Sequence, residues 1–176
     1  MLIADYLKSE KAADTVIGQF QITEVPVPIF EIAAKMDLQL IEYNLGSETS
    51  GVLVINNGKG TIGYNPKDPL VRRRFTIAHE LGHYLMHKES NELFVDSYFL
   101  MKYRGNNSYS DEEYKQEQEA NAFAAALLMP KKNIEKLLRG GELNELSESA
   151  LINKLAAKFE VSVAAMSFRL TNLNMF

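Results

Sequence analysis

The stretch RRRFTIAHELGHYLMHKE, residues 72 to 89, holds all three histidines of the chain. His79, His83 and His87 are four apart, so on a helix they lie nearly in line along one stripe. Phe75, Ile77, Ala78, Leu81, Leu85 and Met86 make most of this helix apolar, which predicts that it is buried. A buried helix that carries two histidines and a glutamate needs partners for those groups, and a metal ion with its water supplies them.

Helix geometry limits which histidines can share a metal. Side chains four apart have Cβ atoms ~5–6 Å from each other and can converge on one ion. Side chains eight apart are separated by ~12 Å of axial rise. His79 and His87 therefore cannot both bind one zinc from an unbroken helix, and the pair is either His79 with His83 or His83 with His87. The intervening residues decide between them. His79, Glu80 and His83 make the pattern H-E-x-x-H, in which the carboxylate after the first ligand can take a proton from metal-bound water. The other pair encloses Tyr84 and lacks such an acid. His79 and His83 are thus the expected metal ligands and Glu80 the expected general base. His87, near the helix end, reads either as a bystander with its hydrogen bonds satisfied or as a support for the site. Gly82 lies mid-helix, where glycine costs ~1 kcal/mol relative to alanine. It is either merely tolerated or marks the close approach of another helix or the substrate.

A catalytic zinc usually has three protein ligands and a water. The chain has no cysteine, so the third ligand must be a carboxylate. The second candidate segment is EQEANAFAAALLMP, residues 117 to 130. On a helical wheel Glu119 falls close to Phe123, Ala126 and Leu127, an acid on an apolar face that zinc would neutralise. Glu117 lies ~160° around the wheel. Wheel geometry therefore favours Glu119 over Glu117.

The surrounding chain alternates in texture. Residues 2 to 20 have apolar residues at helical spacing, from Leu2 and Ile3 through Tyr6 and Leu7 to Val16 and Phe20. After a proline-bearing link, IFEIAAKMDL predicts a second helix. LQLIEYNL, SGVLVIN and GTIGYNP are short, rich in β-branched residues and bounded by turn residues. NNGKG at 56 to 60 reads as a hairpin turn in which Asn and Gly supply positive φ. A small, mainly antiparallel sheet of about three strands follows from these segments. NPKDPLV predicts the start of the histidine helix, with Asp68 as cap and Pro69 in the first turn. Residues 90 to 109 read as an irregular, aromatic-rich and glycine-interrupted loop with short elements. SDEE at 110 to 113 is a capping box opening a helix to about Met129, stopped by Pro130. KKNIEKLLRGG predicts a short helix closed by Gly140, and residues 147 to 173 predict two more.

Taken together, RRRFTIAHELGHYLMH and EQEANAFAAALLMP resemble the ImmA/IrrE family of intracellular bacterial metallopeptidases, a gluzincin-like group. The resemblance extends back through VPVPIFEIAAKMDLQL and TIGYNP and forward to LAAKFEVSVAAMSFRL, roughly residues 22 to 173. It implies an α+β, zincin-like core: a small sheet over an active-site helix and a glutamate helix. It implies zinc held by the two histidines of the first motif and by the glutamate preceding Ala-Asn in the second. Here these are His79, His83 and Glu119, with Glu80 as base, and every motif position is intact. Asn121 is expected to orient a ligand. Tyr98, Tyr103, Tyr109 and Tyr114 are candidates for a donor to the oxyanion. Zincins often hold substrate as an added strand along a sheet edge, and TIGYNP is the candidate edge. The family further implies a regulatory protease whose single protein substrate is a helix-turn-helix repressor encoded nearby, in mobile elements, stress responses or toxin–antitoxin-like modules.

Two rival readings remain. LINKLAAKFEVSVAAMSFRLTNL resembles a helix-turn-helix, which suggests a DNA-binding regulator. Residues 141 to 176, however, hold three basic residues (Lys154, Lys158, Arg169) against four acidic ones, a poor balance for phosphate contacts. The chain's net charge of -4 points the same way. The C-terminal helices read better as a helical pack or a protein-docking surface, and the Arg72–Arg74 run as a solvated or acid-pairing face. The third reading is a non-catalytic binder that sequesters a repressor around a structural zinc. Organisation is expected as a metallopeptidase core over residues 1 to 130 with a C-terminal helical segment, 131 to 176, packed on it as one compact unit. No apolar run approaches the ~20 residues of a membrane span, and the N-terminus does not read as a signal peptide. A soluble, cytoplasmic protein is the expectation.

Overall fold

The computed structural model describes residues 3–44, 49–89, 93–96, 110–141, 143 and 146–175. Asp5 caps the first helix, α1 (Tyr6–Gln19), its side chain accepting from the Lys8 N–H at 2.9 Å. This helix packs through Ser9, Ala13 and Val16, whereas Ile3, Tyr6 and Leu7, expected on its packed face, are exposed. The second helix, α2 (Ile29–Lys35), buries Ile29, Ile32 and Ala33.

Three strands follow: β1 (Gln39–Glu42), β2 (Gly51–Asn56) and β3 (Lys59–Tyr64). Asn57 (φ 50°) and Gly58 (φ 77°) form the two-residue turn between β2 and β3, as the sequence predicts. The third helix, α3 (Leu70–Met86), carries the histidines. Its N-cap is Pro69 with no side-chain cap. Asp68, the expected cap, instead pairs with Arg72 one turn on, at 3.4 Å.

A fourth strand, β4 (Leu93–Asp96), lies inside the segment read as an irregular loop. Among the described residues the sheet therefore has four strands in the order β1-β3-β2-β4, and it is mixed: β1 runs parallel to β3, while β2 is antiparallel to both β3 and β4. The TIGY of TIGYNP lies in β3 between two neighbours, so it is not an edge; among the described residues the edges are β1 and β4.

Four further helices complete the described chain: α4 (Asp111–Leu128), α5 (Lys131–Arg139), α6 (Glu148–Phe159) and α7 (Val163–Asn172). The capping box of α4 is formed, with Ser110 Oγ accepting from the Glu113 N–H and the Glu113 carboxylate accepting from the Ser110 N–H. Its three first-turn acids complement the helix dipole.

The layers explain how the site is held. On one side α3 packs against the sheet, and its other side packs against α4, which in turn packs against α1. Leu53 and Ile62 from the sheet, Ile77 and Leu81 from α3, and Phe123 and Leu127 from α4 are fully buried in one core. Burial of each such side chain stabilises by ~1.5–3 kcal/mol. Two interior arginines tie the outer pieces to this core. Arg74 donates to the carbonyls of Val27 (2.9 Å), Glu160 (3.2 Å) and Phe159 (3.5 Å). Arg169 donates to the Met129 carbonyl at 3.0 Å and to the Glu10 carboxylate. Among the described residues no helix is long and apolar enough to cross a membrane.

Candidate metal centre

The first two histidines of α3 are buried with their rings converging: the Nε2 atoms of His79 and His83 are 3.0 Å apart. The third group arrives from α4. Glu117 places one carboxylate oxygen 3.3 Å from His79 Nε2 and the other 3.1 Å from His83 Nε2. Zinc bonds of ~2.0–2.2 Å at tetrahedral angles require donors to stand about 3.3 Å apart. The three observed separations are 3.0, 3.1 and 3.3 Å. With both rings neutral and their Nε2 atoms unprotonated, two lone pairs and a carboxylate would repel one another at such distances, and a cation between them would remove the conflict. Their donor chemistry and spacing therefore fit a divalent metal, and the group His79, His83 and Glu117 could hold one.

Glu119, the carboxylate favoured by the wheel, lies elsewhere. Its Oε2 is 2.9 Å from His87 Nε2, and its Oε1 accepts from the backbone N–H of Asp5 at 2.8 Å. The physical reason is that α4 has two buried sides. Glu117 faces the His79/His83 pair of α3, while Glu119 turns towards the start of α1 and the end of α3. A wheel that assigns one apolar face as the interior cannot rank two carboxylates that are both inside. A signal for Glu117 was available four residues on. Asn121 shares its stripe, and Asn121 Oδ1 lies 3.0 Å from His79 Nδ1. Glu117 and Asn121 thus address opposite nitrogens of one imidazole.

Burial sets the electrostatics. Removal from water lowers the pKa of His83 to about 4, with Glu117 opposing and His79 and His87 reinforcing the shift. His83 is therefore neutral near pH 7, the form a metal requires. Burial alone would raise the Glu117 carboxyl, but hydrogen bonds and charge from the two histidines outweigh it and hold the group well below the usual carboxylate range. Burial lowers the His87 pKa, against the pull of Glu119. The ring planes are held by aromatic neighbours: Phe94 of β4 stacks on His83 at 4.5 Å between centroids, and Phe75 stacks on His79 at 6.4 Å.

Glu80 is fully buried on the sheet side of α3. Its carboxylate lies against the first residue of β2. A Cβ at Gly51 would come within 2.7 Å of Glu80 Oε1 and 2.4 Å of Thr76 Cγ2. Gly51 thus leaves the carboxylate its space, a role the sequence alone did not reveal. Gly82 faces α4: a Cβ there would meet Phe123 Cδ1 at 3.0 Å and Ala120 Cα at 3.3 Å. Of the two sequence readings of this glycine, close approach of another helix is the one that holds. Tyr114 is one turn before Glu117 on α4 and exposed. Tyr98, Tyr103 and Tyr109 lie outside the described residues.

A family model described as the IrrE N-terminal-like domain, of a peptidase family, matches residues 33–171. Over 101 residues the chain is 31% identical to a protein of Bacillus phage phi105 described as "Uncharacterized immunity region protein 2", covering 57% of this chain and 58% of that one. Among solved structures it is similar to a "Mycobacterium tuberculosis transcriptional regulator", with a TM-score of 0.62 at 15% identity, over 93% of this chain and 46% of that one. The structural likeness at that identity shows a shared fold. The chain spans only about half the length of these relatives.

Proposed function

Since the chain belongs to the IrrE N-terminal-like domain family, we propose that it is a zinc-dependent endopeptidase acting on one intracellular protein, a helix-turn-helix transcriptional repressor. The observation that carries this reading is the convergence of His79 Nε2, His83 Nε2 and the Glu117 carboxylate within 3.3 Å of each other, the two histidines lying on a helix that also buries the H-E-x-x-H glutamate, Glu80.

His79, His83 and Glu117 would hold the zinc. When bound, zinc lowers the pKa of a water to ~7 and polarises the scissile carbonyl. The chain's own residues do the rest. Glu80 accepts a proton from the attacking water as its oxygen bonds to the carbonyl carbon. The same carboxyl then returns that proton to the amide nitrogen as the C–N bond breaks. Asn121 holds the His79 ring through Nδ1, and Phe94 holds the plane of His83. Because Phe94 belongs to edge strand β4, a substrate backbone added along that edge runs beside the histidines. Tyr114, one turn from Glu117 on α4, is the described member of the four tyrosines considered as donors to the oxyanion.

The name of the phage relative, an immunity region protein, supports a repressor as substrate. Direct DNA binding through α6 and α7 is disfavoured. Arg169 is buried against Met129 and Glu10, which leaves Lys154 and Lys158 as the outward basic residues of that segment. The test is co-expression with the repressor encoded beside this gene. Wild type should cleave it; Glu80→Gln should bind zinc, fold normally and leave it intact. Equal relief of repression by Glu80→Gln would assign the effect to binding and overturn proteolysis.

A further inference from the structure

His87 and Glu119 take no part in the metal trio, yet both are buried and they touch. Their hydrogen bonds run in one direction. Glu119 Oε1 is occupied by the Asp5 N–H at 2.8 Å, and Glu119 Oε2 lies 2.9 Å from His87 Nε2. An ionised carboxylate only accepts, so the proton of that second bond belongs to His87 Nε2. In the neutral ring His87 Nδ1 is then an acceptor. It lies 3.3 Å from His83 Nδ1, which must therefore be the donor. With its proton on Nδ1, His83 presents a lone pair at Nε2. That is the nitrogen 3.0 Å from His79 Nε2 and 3.1 Å from Glu117.

We propose that Glu119 and His87 form a relay, anchored on the backbone of Asp5, that fixes the tautomer and orientation of His83 for metal binding. Both are positioning residues. His79 is served separately by Asn121. The relay rests on the reading of His79, His83 and Glu117 as the metal ligands. Groups that orient a metal-bound imidazole contribute about 10–100-fold to metal affinity.

The experiment compares zinc affinity, by chelator competition, and imidazole nitrogen NMR in the full chain. In the zinc-loaded wild type His87 should carry its proton on Nε2, and a through-bond coupling should join His83 Nδ1 to His87 Nδ1. His87→Leu should bind zinc about 10–100-fold more weakly. His87→Asn, whose Oδ1 replaces the Nδ1 acceptor, should recover most of that loss. A structural role alone would leave His87→Asn as weak as His87→Leu, and that result overturns the relay. So does a His87 protonated on Nδ1, or wild-type affinity in His87→Leu. If the wild type itself binds no zinc, the metal site has failed and the relay with it. If zinc binding is lost in Glu117→Gln but unmoved in His87→Leu, only the relay has failed.

Discussion

Gly82 offers a direct test of whether the α3–α4 spacing sets the metal site. In an isolated helix Gly82→Ala would stabilise by ~1 kcal/mol. Here the new methyl meets Phe123 Cδ1 at 3.0 Å and Ala120 Cα at 3.3 Å, where ordinary contacts begin near 3.4 Å. The phenyl ring can turn, but Ala120 Cα is backbone, so the two helices must separate by a few tenths of an ångström. Overpacking of this kind costs ~1–3 kcal/mol. The net is a loss of ~0–2 kcal/mol once propensity is subtracted. Zinc binding suffers as well. Glu117 lies one turn from Ala120 on α4 and must reach the two histidines of α3, so separating the helices lengthens its approach to both. We expect zinc affinity to fall on the order of tenfold. Urea denaturation of the metal-free protein reads the first quantity and chelator competition the second. A Gly82→Ala variant that is ~1 kcal/mol more stable with unchanged zinc affinity would refute the reasoning, because it would show that no close approach constrains this position.

Other variants probe the remaining contacts. Glu117→Gln should abolish stoichiometric zinc binding, measured by metal analysis after gel filtration, whereas Glu119→Gln should retain zinc at reduced affinity; the reverse pattern would restore Glu119 as the ligand. Gly51→Ala pushes a methyl to within 2.7 Å of Glu80 Oε1 and should suppress peptide cleavage while leaving zinc content unchanged. Arg74→Met strands the buried carbonyls of Val27, Phe159 and Glu160 and should lower the urea-unfolding free energy by about 3 kcal/mol; a change under about 1 kcal/mol would mean that relaxation or water replaces the guanidinium.

What could be read from the chain alone followed local physics. The spacing of His79, Glu80 and His83, the Ser110–Glu113 capping box and the Asn57–Gly58 turn each depend on residues a few positions apart. Failures came where neighbours are distant. β4 is four residues long, too short for alternation to stand out, and it is a strand because β2 pairs with it. The parallel β1–β3 pairing leaves no mark on either strand's own pattern. For the arginine run the acid-pairing alternative holds, Arg72 with Asp68 and Arg74 with Glu160, but the burial of Arg74 among the carbonyls of Val27, Phe159 and Glu160 leaves no local mark.

The wheel's preference for Glu119 over Glu117 rests on an assumption that α4 does not meet. A helical wheel presumes one buried face, and α4 is held between α3 and α1. Residues two apart on a helix lie about 160° from each other, measured the short way round, so Glu117 and Glu119 reach opposite flanks, and both flanks are interior. The spacing of four in the histidines and of two in the glutamates then acquires a joint meaning. Three rings stand in a row along α3, and α4 sets one carboxylate against the first two and another against the last. Every buried imidazole thereby faces a carboxylate, an arrangement that suits the proposed metal-binding pair with its own support better than a three-histidine site.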